Sequence, residues 1–375
     1  MRPYRPSRIL VERAARLDPM ALRVIDFYAG VPVKEVDRAD LLLAEPPTGP
    51  DPFGAGKRTL LLARFKGAFV KPCPGSAEML CCHYAVLSPI LNCPLECTYC
   101  MLQSYLNRPA ITVHTNVEDC LEQLDAYLAA YPPDGLVRLG TGELADSLAL
   151  EEATGWSERL VRYVAGQPNA ILELKTKTTL VEPLLDLDHA GRTVVAWSLN
   201  PDEIVRREEL KTAGLEERLE AAARVQAAGY LVAFHFDPLV HYHGWKAGYQ
   251  AVVARLAEAV DPRGVAWVSL GGLRFLPGLK AVIKARFPKS RLPGGEFILG
   301  QDKKLRYLAS QRAAMYRAVA GWLREWDTDL LIYLCMERGS LWEAALGERP
   351  PDRAAVERRF TQRLQALVPS RITPP

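Results

Sequence analysis

The stretch LNCPLECTYCMLQ, residues 91–103, decides which fold and which chemistry this chain is expected to have. It places Cys93, Cys97 and Cys100 at the spacing C-x3-C-x2-C. Three thiolates on one short loop can bind three irons of a four-iron cluster and leave the fourth iron open to another ligand. The spacing therefore predicts an iron–sulfur cluster with an open coordination position.

Two other interpretations of these three cysteines stay open at the level of sequence. A structural zinc site would need a fourth protein ligand, which Cys73, Cys81 or Cys82 could supply. Alternatively, the thiols are simply buried, because free cysteine is among the most buried residue types. The tight spacing on one loop favours the cluster over both.

The composition is that of an ordinary folded protein, with 375 residues of which 49% are hydrophobic and 24% are charged. A net charge of +3 argues against a protein that coats nucleic acid non-specifically, although a local basic groove remains compatible with it. No signal peptide and no membrane-spanning apolar run is evident. We therefore expect a cytoplasmic protein without membrane contact, whose eight cysteines are metal ligands, catalytic thiols or core residues rather than disulfides.

After about residue 85, short apolar runs alternate with amphipathic segments. Strands are predicted over 111–116, 136–142, 170–177, 193–200, 230–239 and 264–272, and helices near 117–131, 155–166, 180–185, 215–228 and 245–259. This alternation is typical of a parallel sheet with right-handed crossovers, either open or curled into a full or partial barrel. Functional residues of such sheets lie at the carboxyl ends of the strands.

The segments on either side carry weaker signals. We predict one helix over roughly residues 8–28, a proline-rich connector over 45–59, and a polar, arginine-rich helix after about residue 345. The connector ends in GAGKRT, which is similar to a phosphate-binding loop. However, Asp51 stands where such a loop needs its first glycine, and Arg58 occupies its Ser/Thr position. We therefore predict an ordinary surface turn around Lys57.

The segment RLGTGELADS, residues 138–147, ends a predicted strand with Gly142 and Glu143. Taken alone, it is a glycine-rich turn from strand to loop. Its position one strand–helix unit after the cysteine loop favours a functional role, with the glycine permitting close backbone approach and the carboxylate accepting hydrogen bonds from a bound ammonium group.

The cysteine spacing, with Tyr99 directly before the third cysteine, resembles the signature of radical S-adenosylmethionine enzymes. Longer segments, residues 84–119, 187–205, 215–249 and 273–292, resemble in order the spore photoproduct lyase family, over about residues 60–300. The resemblance implies an α/β fold, namely a partial (β/α)6 TIM-like barrel with N- and C-terminal extensions. We accordingly expect an N-terminal extension over 1–84, the barrel over 85–340 and a basic C-terminal tail over 341–375.

The resemblance also implies an activity. A [4Fe-4S] cluster and S-adenosyl-L-methionine would generate a 5′-deoxyadenosyl radical, and the enzyme would be a lyase that cleaves a carbon–carbon bond to repair a thymine photoproduct or a related DNA lesion. An electron donor such as flavodoxin or ferredoxin is expected as a partner. Two alternatives remain: a radical enzyme with a substrate other than DNA, and a zinc-stabilised nucleic-acid-binding protein without catalysis.

Site residues carry over from the family position by position. The resemblance implies that Cys93, Cys97 and Cys100 bind the cluster and that Tyr99 is catalytic and contacts the cofactor. The other expected cofactor-binding residues are Gly142, Glu143, Lys177, Ser198, Asn200 and Asp237. Apart from the resemblance, Lys177 could be a solvated strand-end charge and Ser198 a capping hydroxyl.

Two positions depart from the family pattern and put the substrate in doubt. The lyase has a hydrogen-donating cysteine where this chain has Gly140 or Thr141, and a tyrosine where it has Met101. Other thiols must therefore be considered. Cys73, Cys81 and Cys82 could donate hydrogen, ligate a second cluster or pack in the core, whereas Cys120 and Cys335 are expected in the core, Cys335 being a weak donor candidate.

The segment HFDPLVHYHGW contains His235, Asp237, His241 and His243. His-x-Asp and His-x-His on extended backbone place each pair on one face, a spacing that can bind zinc, iron or manganese. Because the segment also resembles a cofactor-lining strand of the lyase, Asp237 is the expected cofactor contact, and the histidines are alternatively expected to face substrate phosphates.

Overall fold

The computed structural model describes residues 3–38, 49–73, 75–76, 78–132 and 135–368. The strands are β1 (Arg8–Glu12), β2 (Val33–Val36), β3 (Thr59–Ala63), β4 (Val70–Pro72), β5 (Ala85–Leu87), β6 (Ile90–Leu91), β7 (Glu96–Cys97), β8 (Ile111–His114), β9 (Val137–Gly140), β10 (Ala170–Thr176), β11 (Thr193–Ser198), β12 (Glu209–Leu210), β13 (Leu231–Leu239), β14 (Val265–Gly272), β15 (Arg274–Phe275), β16 (Ile298–Leu299), β17 (Leu305–Arg306) and β18 (Ile332–Leu334).

The α-helices are α1 (Pro19–Phe27), α2 (Pro52–Gly56), α3 (Leu102–Tyr105), α4 (Val117–Ala129), α5 (Glu151–Thr154), α6 (Trp156–Ala165), α7 (Asp202–Glu208), α8 (Leu215–Ala227), α9 (Trp245–Ala259), α10 (Pro277–Arg286), α11 (Ala309–Trp326), α12 (Gly339–Leu346) and α13 (Arg353–Leu367).

The main sheet has the strand order β18-β14-β13-β11-β10-β9-β5-β4. The strands from β5 to β18 are parallel, and β4 pairs with β5 in the antiparallel sense. Every residue of β11 and β14 is buried, because helices cover one face of the curled sheet and side chains fill the other. The predicted partial barrel is confirmed, and β18 adds a seventh parallel strand to the six expected.

A second, five-stranded sheet of order β2-β1-β3-β8-β6 packs beside the barrel. It corrects the helix predicted over 8–28, since the apolar run Ile9, Leu10 and Val11 forms the buried strand β1 between β2 and β3. The helix begins only at Pro19, a residue favoured at the first helical position.

The segment 111–116, predicted as a barrel strand, also joins this second sheet, because β8 pairs with β3. Strands β6 and β8 therefore cross the predicted boundary at residue 84 in one direction, and β4 crosses it in the other. As a consequence, the cysteine loop lies in the long crossover from β5 to β9, where the two sheets meet.

Smaller differences concern short elements. The helix predicted near 180–185 is a single 3-10 turn, Glu182–Leu184, and the three-stranded sheet β15-β17-β16 was not predicted. The predicted C-terminal helix is α13, whose Phe360 packs edge-on against Trp267 of β14. Residues 45–48 of the connector and 369–375 of the tail lie outside the described residues. No described helix is both long and apolar enough to cross a membrane.

Candidate active site

Cys93, Cys97 and Cys100 lie together in one pocket at the carboxyl ends of β9, β10 and β11, here called the cysteine pocket. The structure brings most of the sequence-predicted site residues into this pocket. The further lining residues used below are Tyr99, Met101, Gly142, Glu143, Asp146, Lys175, Lys177 and Ser198. Asn200 and Asp237 do not line it.

The cysteine loop is fixed through its backbone. Cys97 pairs with Glu209 in the short antiparallel ladder of β7 and β12. Gln103 donates from its amide nitrogen to the carbonyl oxygens of Cys97, Thr98 and Cys100, at 3.3, 2.9 and 3.2 Å. Arg286 in turn donates to the amide oxygen of Gln103. This network positions the loop without occupying the thiols.

Lys57 corrects the prediction of a surface turn. Its side chain is buried, donates to the carbonyl oxygen of Leu95 in the cysteine loop, and pairs with Glu96 at 3.4 Å. A lysine held in this way is not free to bind a nucleotide phosphate. The segment that is similar to a phosphate-binding loop therefore supports the cysteine loop instead.

The donor set fits a four-iron cluster. Loss of solvent raises the pKa of Cys93 to about 11 and raises the pKa values of Cys97 and Cys100, so iron must displace protons from these thiols as it binds. Within the described residues, no three Cys, His, Asp or Glu side chains are placed to hold one metal ion. Thiols that each bind a different iron of a cluster stand farther apart than the ligands of one ion, so this finding contradicts the zinc alternative only.

Tyr99 points its phenol at Glu209, to which it donates a hydrogen bond. Glu209 also accepts from Asn200 at 2.9 Å and pairs with the fully buried Arg218 at 2.7 Å. Burial alone would raise the pKa of Glu209, but Arg218, Lys177 and these donors lower it to about 2. Asn200, a predicted cofactor-binding residue, thus stands behind Tyr99 and fixes it through Glu209.

Gly142 and Glu143 follow β9, as predicted. A Cβ at position 142 would lie 2.7 Å from Cβ of Lys175, so the missing side chain lets the lysine cross the strand end. Oε2 of Glu143 accepts a 2.9 Å hydrogen bond from the hydroxyl of Tyr84. Gly140 is similarly covered, because a Cβ there would lie 2.7 Å from the Tyr84 ring.

Asp146 is a site residue that sequence reasoning missed. It accepts hydrogen bonds from the backbone N–H groups of Leu148 and Ala149, both at 3.0 Å, and of Lys177 at 2.7 Å. It also accepts one from the hydroxyl of Thr176, at 2.8 Å. The carboxylate therefore joins the Gly-Glu loop to the end of β10 and places Lys177. An aspartate just after a strand-end turn was the available signal.

Ser198 ends β11 and is buried in the wall of the cysteine pocket. Asp237 instead lines a second cavity, here called the inner chamber, which lies deeper in the barrel and is also bounded by Tyr84, Glu173 and His235. Asp237 binds Arg274 in a bidentate ion pair of 2.9 and 3.1 Å, and this pair, against the effect of burial, lowers its pKa to about 2.

The metal site allowed by the histidine spacing is not formed. His235 is buried and pairs with Glu173 at 2.6 Å, Asp237 is held by Arg274, and His241 and His243 are exposed. The four side chains therefore have separate partners and surroundings.

Comparison with known proteins identifies the group to which the fold and the site are similar. The family model described as spore photoproduct lyase matches residues 53–307. Spore photoproduct lyase of Bacillus subtilis (strain 168) is 31% identical over 204 residues, which cover 54% of this chain and 59% of the relative. That of Geobacillus sp. (strain Y412MC61) is 27% identical over 300 residues, covering 78% and 85%.

Solved structures agree with these sequences. A spore photoproduct lyase mutant with bound AdoMet and dinucleoside spore photoproduct superposes with a TM-score of 0.79 at 22% identity, covering 89% of this chain and 100% of the other. A complex of the lyase with dinucleoside spore photoproduct gives a TM-score of 0.78 with the same coverage. The matched segment spans only 59% of the Bacillus subtilis relative, so the similarity defines the family and the fold.

Proposed function

The chain belongs to the spore photoproduct lyase family, and from this premise we propose that it is a radical S-adenosylmethionine lyase that repairs a thymine photoproduct in DNA. The observation that carries the proposal is the cysteine pocket, which unites the three cysteines with Tyr99, Glu143, Lys177 and Ser198. Relatives of known structure bind AdoMet and dinucleoside spore photoproduct, which supports the choice of cofactor and substrate.

Cys93, Cys97 and Cys100 would hold the [4Fe-4S] cluster, and S-adenosylmethionine bound beside it would supply a 5′-deoxyadenosyl radical. The protein's part is to bind and orient. Glu143, held by Tyr84 at 2.9 Å, presents a carboxylate to the ammonium group of the cofactor's methionine moiety. Lys177, whose backbone is fixed by Asp146, offers a cation to the methionine carboxylate.

Tyr99 and Ser198 complete the proposed cofactor site. The phenol of Tyr99 is anchored by Glu209, so its ring forms a rigid wall against which the cofactor can pack. Asn200 acts through the same carboxylate, to which it donates at 2.9 Å. Asp237 stands at the substrate side, in the inner chamber, rather than beside the thiols.

A flavodoxin or ferredoxin is the proposed source of the electron that cleaves the cofactor. The reaction belongs in a reducing compartment, the cytoplasm, where the cysteines, all eight of which are free, stay reduced.

The decisive experiment reduces the reconstituted protein anaerobically with S-adenosylmethionine and dinucleoside spore photoproduct. We expect both 5′-deoxyadenosine and restored thymine. Cleaved cofactor without restored thymine would reject the lyase and leave a radical enzyme with another substrate. That alternative is favoured by Gly140 and by Met101, whose side chain is 42% exposed at the pocket. A colourless protein with stoichiometric zinc would reject the cluster itself.

A further inference from the structure

Four of the eight cysteines do not belong to the cysteine pocket but line the inner chamber. They are Cys73, Cys81, Cys82 and Cys335. The chamber and the cysteine pocket share three lining residues, Gly142, Glu143 and Lys175. The two cavities are therefore neighbours, and a substrate radical formed beside the cofactor lies next to a wall of thiols.

The inner chamber is also prepared for a polar occupant. Ser269 is 1% exposed and its hydroxyl has no hydrogen-bond partner; Arg138 is 4% exposed and two of its nitrogens, Nε and one terminal nitrogen, have none. Unpaired groups buried this deeply are costly unless a ligand or water satisfies them. Because both side chains line the chamber, they point to a bound polar molecule.

The chamber thiols are suited to giving up hydrogen rather than binding metal. Burial raises the pKa of Cys73 to about 11 and raises those of Cys82 and Cys335, so all three keep their S–H bonds at neutral pH. In the described part of the chain, they form no group that could hold a metal ion. Cys335 is moreover engaged by Arg274, at 3.3 Å from its sulfur, and by Asp237.

Cys73 is the best placed of these thiols. It lies on the edge of the sheet after β4, its N–H donates to the carbonyl oxygen of Tyr84 at 2.9 Å, and its thiol lies within electrostatic range of Glu143. Glu143 borders both cavities, and Tyr84 binds it. Cys82 and Cys335 stand deeper, beside Arg138 and Arg274.

We propose that Cys73 is the hydrogen-atom donor of the reaction, a role that rests on the proposed function. The carbon radical left on the repaired thymine takes one hydrogen atom from Cys73, so that a C–H bond forms and the S–H bond breaks. The resulting thiyl radical is returned to the thiol by one electron from the low-potential flavin or iron–sulfur donor and one proton from solvent. Atoms and electrons balance with that donor alone.

The test compares Cys73→Ser and Cys73→Ala with the wild type in D2O, using reconstituted full-length protein, S-adenosylmethionine and dinucleoside spore photoproduct. The wild type should place one solvent-derived deuterium in the thymine methyl group. Both variants should still form 5′-deoxyadenosine, while the ratio of thymine to 5′-deoxyadenosine falls at least tenfold. Cys120→Ser, a change of a buried thiol in α4, is the control and should keep the ratio.

A readout independent of turnover is the labelling of Cys73 by methyl methanethiosulfonate, followed by mass spectrometry. Photoproduct plus cofactor should slow this labelling at least fivefold. A ratio within twofold of wild type in both Cys73 variants, or a tenfold loss only in Cys82→Ser or Cys335→Ser, overturns the donor while the lyase stands. Labelling that the photoproduct does not slow also overturns it. A wild type that restores no thymine overturns lyase and donor together.

Discussion

The hydroxyl of Tyr84 donates a 2.9 Å hydrogen bond to Oε2 of Glu143, and the carboxylate it holds separates the cysteine pocket from the inner chamber. We expect Tyr84→Phe to weaken binding of S-adenosylmethionine about tenfold, because a hydrogen bond to a charged group contributes about 1.5–3 kcal/mol. Equilibrium dialysis with the reconstituted protein measures this directly.

A matched control exists for that variant. Tyr131 also donates to a glutamate, Glu357, at 2.6 Å, far along the chain from the cysteine loop. Tyr131→Phe should leave cofactor affinity unchanged. Equal affinities in the two variants would show that Tyr84 does not position Glu143 for the cofactor.

Gly140 gives a second prediction, since a Cβ there would lie 2.7 Å from the ring of Tyr84. Gly140→Ala should push this buried ring away and lower the free energy of unfolding by about 1–3 kcal/mol, as overpacked cores do. Urea unfolding measures the loss. Gly321, within α11 and with no atom within 4 Å of its Cβ position, is the control, and Gly321→Ala should stabilise by up to about 1 kcal/mol.

A double-mutant cycle sharpens this prediction. If Tyr84 is the group that a side chain at 140 displaces, Gly140→Ala should cost much less in a Tyr84→Ala background. The same loss in both backgrounds would assign the strain to another neighbour. The contact also explains why a cysteine cannot simply be restored at this strand end.

The parts of the fold and the site that were predictable from sequence are those with local signals. The cysteine spacing, the Gly-Glu turn and the buried runs such as Val194–Trp197 act over a few residues, so periodicity and motifs find them. The partners that fix the site are distant: Tyr84 and Glu143 are 59 residues apart, and Tyr99 and Glu209 are 110 apart. No local pattern pairs them.

The two errors in strand assignment have the same physical origin. The run Ile9–Val11 is apolar enough for one face of a helix, and only its pairing with β2 and β3 makes it a strand. Strand β8 looks like any other parallel strand, but its neighbour is β3, from the N-terminal region. Tertiary pairing decided these cases, which local propensity cannot do.

Acid pH should unfold the barrel through its buried carboxylates. Against desolvation, His235, Arg138 and Lys175 lower the pKa of Glu173 from 4.5 to about 2, and Arg274 with Lys175 lowers that of Asp237 from 3.8 to about 2. A carboxylate whose pKa is lower in the folded state stabilises the fold above its ordinary pKa and ceases to do so as the pH falls toward 2. We therefore expect the free energy of unfolding to fall by a few kcal/mol between about pH 4.5 and 2.

Urea unfolding at successive pH values tests this expectation. Asp237→Asn should reduce the slope in that window, since the variant has one carboxylate fewer to protonate. Asp261→Asn, which changes a largely exposed carboxylate beside Arg263, should not. A stability that is constant from pH 4.5 to pH 2 would contradict the ionised state of both buried pairs.

Lys57 carries the last prediction, because it reaches the cysteine loop from a neighbouring segment. Lys57→Gln removes the cation that donates to the Leu95 carbonyl and pairs with Glu96 at 3.4 Å, while Glu96 keeps Arg286 at 3.1 Å. The loop should loosen by about 1–3 kcal/mol, so the reconstituted variant should lose iron several-fold faster to a chelator. Arg58→Gln, at the exposed neighbouring position, should lose iron at the wild-type rate. Equal rates in all three proteins, or binding of Mg-ATP that Lys57→Gln abolishes, would return this segment to a nucleotide-binding role.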